Sequence, residues 1–242
     1  MTKPFSDSPR TSAFHTTRWT RVCLAKADSE DGRRALAELC EAYYEPVVAY
    51  LRHVLRDSDA ARDMSHAFFT MILGGGHIGS ADRERGRFRS YLLGAVKHFV
   101  SRQREIHLSL KRGSGLQPVS LDEVGVPDIR DHQVMSPDAA FDRQWALTVL
   151  ERSLRALRAE CQSSGKERLF DQARPFLTGD AAHGDQGAAA VVCGMNVEAF
   201  RVAVHRLKRQ LRQCMKAEIA GTLEDDGAVI DEMQILFEAL GG

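Results

Sequence analysis

Six basic side chains lie between Arg201 and Lys216 with no acid among them. Four polar residues in this stretch (Arg201, His205, Lys208 and Arg212) recur at helical steps, one residue beyond an apolar stripe of Phe200, Val204, Leu207 and Leu211. An α-helix about 10–12 Å across fits a DNA major groove about 12 Å wide, so a basic stripe beside a buried stripe suits groove docking. Just upstream, Gly194-Met195 reads as a turn and Asn196 as the cap of the basic helix, because glycine accepts a left-handed backbone and Asn accepts from the first free amides. Ala188, Ala189 and Ala190 would let a preceding helix, Gly187 to Cys193, approach closely. Helix-turn-helix proteins read bases with the start of the second helix. The candidate readers are therefore Asn196, Val197, Glu198, Arg201, Val202 and His205, followed by Arg206 and Lys208. An ordinary amphipathic hairpin with a solvated basic face has the same pattern. Glu198 can accept from a cytosine amine or simply favour the helix dipole.

A second basic block runs from Ala81 to Arg112, with nine Lys and Arg against three acids. The last stretch, Ala217 to Gly242, carries seven acids and no Lys or Arg, and the whole chain sums to zero with 33 bases and 33 acids. Two separated basic blocks on a neutral chain suggest two polyanion contacts rather than a uniformly adhesive surface. Catalytic patterns do not emerge. The nine histidines contain no HExxH or ligand spacing, no Ser-His-Asp arrangement is suggested, and the glycines at Gly74 to Gly76 lack the Lys-Ser/Thr of a phosphate loop. The expectation is a protein that is not an enzyme, with no cofactor and no metal. Five scattered cysteines, without a CxxC pair, argue against a disulfide framework or a zinc ribbon and fit a reducing cytoplasm. Each is expected to act as a small apolar side chain in a helix interface.

The elements that must position these residues read as helices. Leu36, Leu39, Cys40, Tyr43, Val47, Leu51, Val54 and Leu55 recur at three- and four-residue steps, with Pro46 expected to kink the helix. A second helix is expected from Asp57-Ser58, burying Met64, Phe68, Met71 and Ile72, and a third from near Arg87, burying Phe88, Tyr91, Leu92, Ala95 and Phe99. Between Gly113 and Pro137 the periodicity gives way to Gly, Pro, Ser and Asp, which reads as a linker. Helical pattern returns at Phe141 to Leu157 and at Leu169 to Leu177. No segment alternates as a strand. The expected fold is all-α, two helical domains joined by a flexible linker; 242 residues suit one large domain or two small ones. No run of about 18 apolar residues would span a membrane, and no signal-peptide core is evident.

Taken together, the motifs resemble an RNA polymerase sigma factor of the sigma-70 family, extracytoplasmic-function group, over nearly the whole chain. The likeness is to the subgroup with an N-terminal FxTTRW segment, here Phe14 to Trp19. Region 2 is echoed by LCEAYYEPVVAYLR (Leu39 to Arg52), DMSHAFFTMIL (Asp63 to Leu73) and RGRFRSYLLGAVKHFV (Arg85 to Val100). KRGSG and VSLDE resemble the start of the linker, FDRQWALTVLERSLRALRAE the domain after it, and GMNVEAFRVAVHRLKRQLR (Gly194 to Arg212) region 4. The resemblance implies region 2 at 14–112, a linker at 113–137, region 4 at 138–218 and an acidic helical extension at 219–242. It implies that region 2 grips the β′ clamp helices of the polymerase core through Asp59, Asp63, Ser65, His66, Phe68 and Phe69. It also implies that Arg89, Tyr91, Lys97, His98, Arg102 and Arg104 hold the unstacked −10 strand, by stacking and phosphate contacts. Region 4 would contact the β flap and read the −35 element in promoter DNA.

Some residues depart from the family's pattern. Ala60 and Arg62 stand where acids are common, and His66-Ala67 replaces Gln-Glu, so the polymerase-facing helix is short of negative charge. Phosphorylation of Ser65 by a Ser/Thr kinase would add about −1.5 to −2 charges there and switch on polymerase binding; the competing reading makes Ser65 a surface or packing serine. Gly187 and Ala188 replace larger polar residues that brace the DNA backbone. In the acidic tail, Val229, Met233, Leu236, Phe237 and Leu240 suit an amphipathic helix that either packs on the helix-turn-helix domain or masks its basic face. An anti-sigma factor is a further candidate partner; a membrane is not. A conventional helix-turn-helix regulator, or a sigma-like protein acting through protein contacts without promoter activity, are the alternatives.

Overall fold

The computed structural model describes residues 29–74, 88–113, 135–179, 186–220 and 226–241. All of the regular structure among them is helical: α1 (Glu30–Leu55), α2 (Ser58–Gly74), α3 (Phe88–Gly113), α4 (Pro137–Ser163), α5 (Glu167–Thr178), α6 (Gln186–Val192), α7 (Val197–Ala220) and α8 (Asp226–Gly241). The FxTTRW segment, Cys23 and most of the expected linker lie outside the described residues. No single described helix is long and apolar enough to cross a membrane.

The described residues fall into two compact units, one built from 29–150 with 219–241 and the other from 151–218. In the first, α1 starts where the Ser29 side chain accepts from the Gly32 amide at 3.0 Å. Pro46 is buried inside α1, which remains helical through Leu55. The helix stops at Arg56, whose backbone is left-handed with φ of 56°, and Asp57 caps α2 by accepting from the amides of Asp59 and Ala60 at 2.9 and 3.1 Å. The core is aromatic. Tyr43 meets Phe88 edge-on at 5.4 Å, and Phe68 meets Phe99 at 5.6 Å, joining α1, α2 and α3. Phe141, Trp145 and Val149 on the first half of α4 are buried as well, as are Val229, Met233 and Leu236 on α8. Burying such side chains contributes about 1.5–3 kcal/mol each, which makes this apolar set the main support of the bundle.

In the second unit, Phe200 is fully buried and meets Phe176 edge-on at 5.7 Å. Leu154, Leu157 and Cys161 of α4 are buried there, as are Leu207 and Leu211 of α7. The Arg152–Glu218 ion pair, 3.7 Å, adds a partly buried polar tie. Gly179 closes α5 with φ of 86°.

Candidate nucleic-acid interface

The turn between α6 and α7 is built as its residues require. The Met195 amide donates to the Ala190 carbonyl at 2.9 Å and the Gly194 amide to Val191 at 3.0 Å, with Gly194 at φ of 67°. This paired closure satisfies orphan carbonyls at the helix end, and it needs a left-handed residue where glycine sits. One residue on, the Asn196 side chain accepts from the Ala199 amide at 2.7 Å, capping α7. Ala189 and Ala190 are buried, so α6 presents small residues inward.

From that cap, α7 turns Phe200, Val204, Leu207, Leu211 and Met215 inward. Asn196, Glu198, Arg201, Val202, His205, Arg206 and Lys208 are exposed, and Val197 is half-buried. Arg201 is held at both ends: its Nε donates to Gln186 at 2.8 Å and its Nη1 pairs with Glu198 at 2.9 Å. The pair is well solvated and contributes little to stability, but it aims the guanidinium along the exposed face. Nothing local in the sequence marks Gln186 as a partner, because its contact depends on the turn.

The six expected −10 residues all lie on α3, but not on one side of it. At roughly 100° per residue, Arg89, Lys97 and Arg104 fall on one flank of the buried stripe formed by Leu92, Val96 and Phe99. Tyr91, His98 and Arg102 fall on the other. These last three line a groove of about 550 Å³ with Met71 and Ile72 of α2 and Gly94, Ala95 and Phe99 of α3. It is a mostly apolar trough with an imidazole and a guanidinium among its lining groups.

The opposite flank is occupied. Arg89 is buried, its Nε pairs with Glu232 of α8 at 3.0 Å, and its Nη1 pairs with Asp142 of α4. Its guanidinium sits over the Trp145 ring, 4.7 Å from the centroid. Burial alone would lower the Arg89 pKa; the Glu232 and Asp142 carboxylates outweigh that and hold it above the ordinary arginine value. Lys97 Nζ pairs with Asp138 at 2.5 Å. Burial lifts the Tyr50 phenol above its usual value; Lys97 and Arg104 oppose that shift, while Asp138 adds to it. Arg89 is thus an interior ion-pair partner here rather than a surface phosphate contact. The acidic tail is also placed differently from the expectation that tied it to the helix-turn-helix domain: α8 packs into the α1–α3 bundle through Glu232. A signal for this was in the sequence. Glu232 falls on the same helical stripe as Val229, Met233 and Leu236, where a carboxylate requires a partner.

The expected polymerase-facing residues of α2 divide as well. Asp59, Asp63 and His66 are exposed along one stripe, with Asp59 paired to Arg62 at 3.3 Å and His66 stacked on Tyr44. The Tyr44 hydroxyl and His66 Nε2 are 3.0 Å apart. Phe68 and Phe69 belong to the core. Ser65 is fully buried, and its hydroxyl donates to the Ala61 carbonyl at 2.7 Å. With no exposed surface, that oxygen is not accessible to a kinase in this fold. Ser65 thus sits as the competing reading has it, a packing serine, and the buried hydroxyl speaks against the phosphorylation expectation.

The described cysteines follow burial. Cys40 and Cys214 are half-buried, and desolvation pushes both thiols up to about 11, with Glu160 adding to the shift at Cys214. Among the described residues, no group of three or more His, Cys, Asp or Glu side chains is arranged to hold a metal ion. Compared with family models, curated proteins and solved structures, the chain matches none of them.

Proposed function

We propose that this chain is a sigma factor of the extracytoplasmic-function type, which binds the RNA polymerase core in the cytoplasm and directs it to promoters. In this reading the first unit carries region 2 and the second carries the helix-turn-helix of region 4. The chain makes and breaks no covalent bond; it supplies contacts to DNA and to the polymerase. The observation that carries the reading is the construction of α7. A glycine-closed turn, an Asn cap and a buried stripe leave Glu198, Arg201, Val202, His205, Arg206 and Lys208 exposed along the helix start. That is the presentation required for reading base edges in a major groove. The trough lined by Tyr91, His98 and Arg102 supports the second half of the reading, since aromatic rings and a guanidinium beside an apolar recess favour an unstacked base. Asp59, Asp63 and His66 are the α2 groups left to meet a basic clamp surface.

The test is run-off transcription on genomic DNA with purified core polymerase plus this protein. Discrete transcripts that disappear with Arg201→Ala and Arg206→Ala are expected. Sequence-selective duplex binding without transcripts points instead to a helix-turn-helix regulator.

A further inference from the structure

Three carboxylates from two helices converge on one flank of α3. Arg89 and Glu232 stand 143 positions apart in sequence, yet their side chains are only 9% and 3% exposed. Such a pair is shielded from salt and solvent, unlike the exposed pairs elsewhere on the molecule. Glu232 takes the Nε donor and Asp142 the Nη1 donor, one from each of the two faces with which a guanidinium can grip a phosphate. Farther along the helix, Asp138 holds Lys97. The carboxylates of α4 and α8 thereby take up donors of this flank that the phosphates of a strand would need. The groove on the other flank, with Tyr91, His98 and Arg102, is not covered by these pairs.

We propose that α8, together with the acidic start of α4, is an intramolecular lock on the Arg89–Lys97 flank, which single-stranded nucleic acid must displace to gain its phosphate contacts. The inference rests on the region 2 reading above and adds regulation to it. A strand can seat a base in the open groove first, and its phosphates then compete with Glu232 and Asp142 for Arg89. The apolar face of α8 (Val229, Met233 and Leu236) favours the closed state until that competition is won. The apparent affinity for a single strand is reduced by the fraction of molecules that are open.

The test uses the full chain and a fluorescently labelled single-stranded oligonucleotide, read by anisotropy. Glu232→Gln keeps the side chain's size and its acceptor but removes the charge. It is expected to bind about tenfold more tightly than wild type, and the gain should vanish when Arg89→Gln is combined with it. In wild type, hydrogen exchange over 229–240 should accelerate as the oligonucleotide is added. This second arm decides the matter even if the Glu232→Gln chain fails to fold. Equal affinity of folded Glu232→Gln and wild type, or unchanged α8 protection at saturating oligonucleotide, overturns the lock. If both chains nonetheless support equal run-off transcription, the region 2 reading stands without it. If neither binds the oligonucleotide nor supports transcription, the functional reading itself falls and takes the lock with it.

Discussion

The hydroxyl of Ser65 donates to Ala61 one turn back, and that bond defines what the residue tolerates. Ser65→Ala removes donor and lone pairs together, leaving a carbonyl that is already bonded within the helix. The expected cost is under about 1 kcal/mol in chemical denaturation. Ser65→Glu places an unpaired charge in the buried interior, and a loss of several kcal/mol, or failure to fold, is expected in the same measurement. A fully folded Ser65→Glu chain would contradict the burial described here. The placement was readable in retrospect: Ala61, Ser65, Phe68 and Ile72 make one helical stripe, and a serine inside such a stripe is usually turned inward. The thiols give a second prediction at this scale. With ordinary values of 9.0 and folded values of about 11, Cys40 and Cys214 keep their protons longer in the folded chain than in the unfolded one. Their contribution is fully present below pH 9 and is lost as the pH rises through about 11, because the unfolded state then binds fewer protons. Stability curves of wild type should fall across that window, and less steeply for Cys40→Ala/Cys214→Ala.

At the scale of elements, local devices were legible and distant ones were not. The turn before α7 was readable because Gly194 and Asn196 each satisfy a requirement of their own backbone. The sequence alone therefore locates the helix start and the exposed stripe beyond it. Asn196→Ala deletes the acceptor for the Ala199 amide and should cost about 1 kcal/mol. Gly194→Ala forces a side chain into a left-handed backbone and should cost a further 1–2 kcal/mol or so. Thermal melts of each, with circular dichroism as readout, check both values. The face of α3 was harder. Arg89 shares its helical position with Leu92 and Val96, so its burial was implied by spacing, but the carboxylates it meets come from residues 53 and 143 positions away. Composition marked the tail as acidic without saying which cations it would meet. Pro46 is a different case: it sits buried inside α1, and the helix runs on from Glu30 through Leu55.

For the molecule as a whole, a formal charge of zero hides a sorted distribution in which the acidic tail is placed against a basic helix. This arrangement makes α8 part of the first unit's stability rather than the second's. Deleting residues after Leu223 removes the burial of Val229, Met233 and Leu236 and strips Glu232 from Arg89. The aromatic contacts among α1, α2 and α3 remain, so that bundle should persist with Arg89 rehydrated. The loss should be roughly 3–5 kcal/mol, less than the sum of the buried side chains because the newly exposed surface relaxes. For a chain of this size, that corresponds to a Tm lower by about 10 °C or somewhat more. Hydrogen exchange on the truncated chain should show faster exchange across 88–104, and unchanged protection across 200–215. Loss of protection centred on α7 instead would mean that the tail supports the helix-turn-helix unit. Retention of the full Tm would mean that α8, its apolar face and its ion pair together, adds nothing to the stability of the first unit.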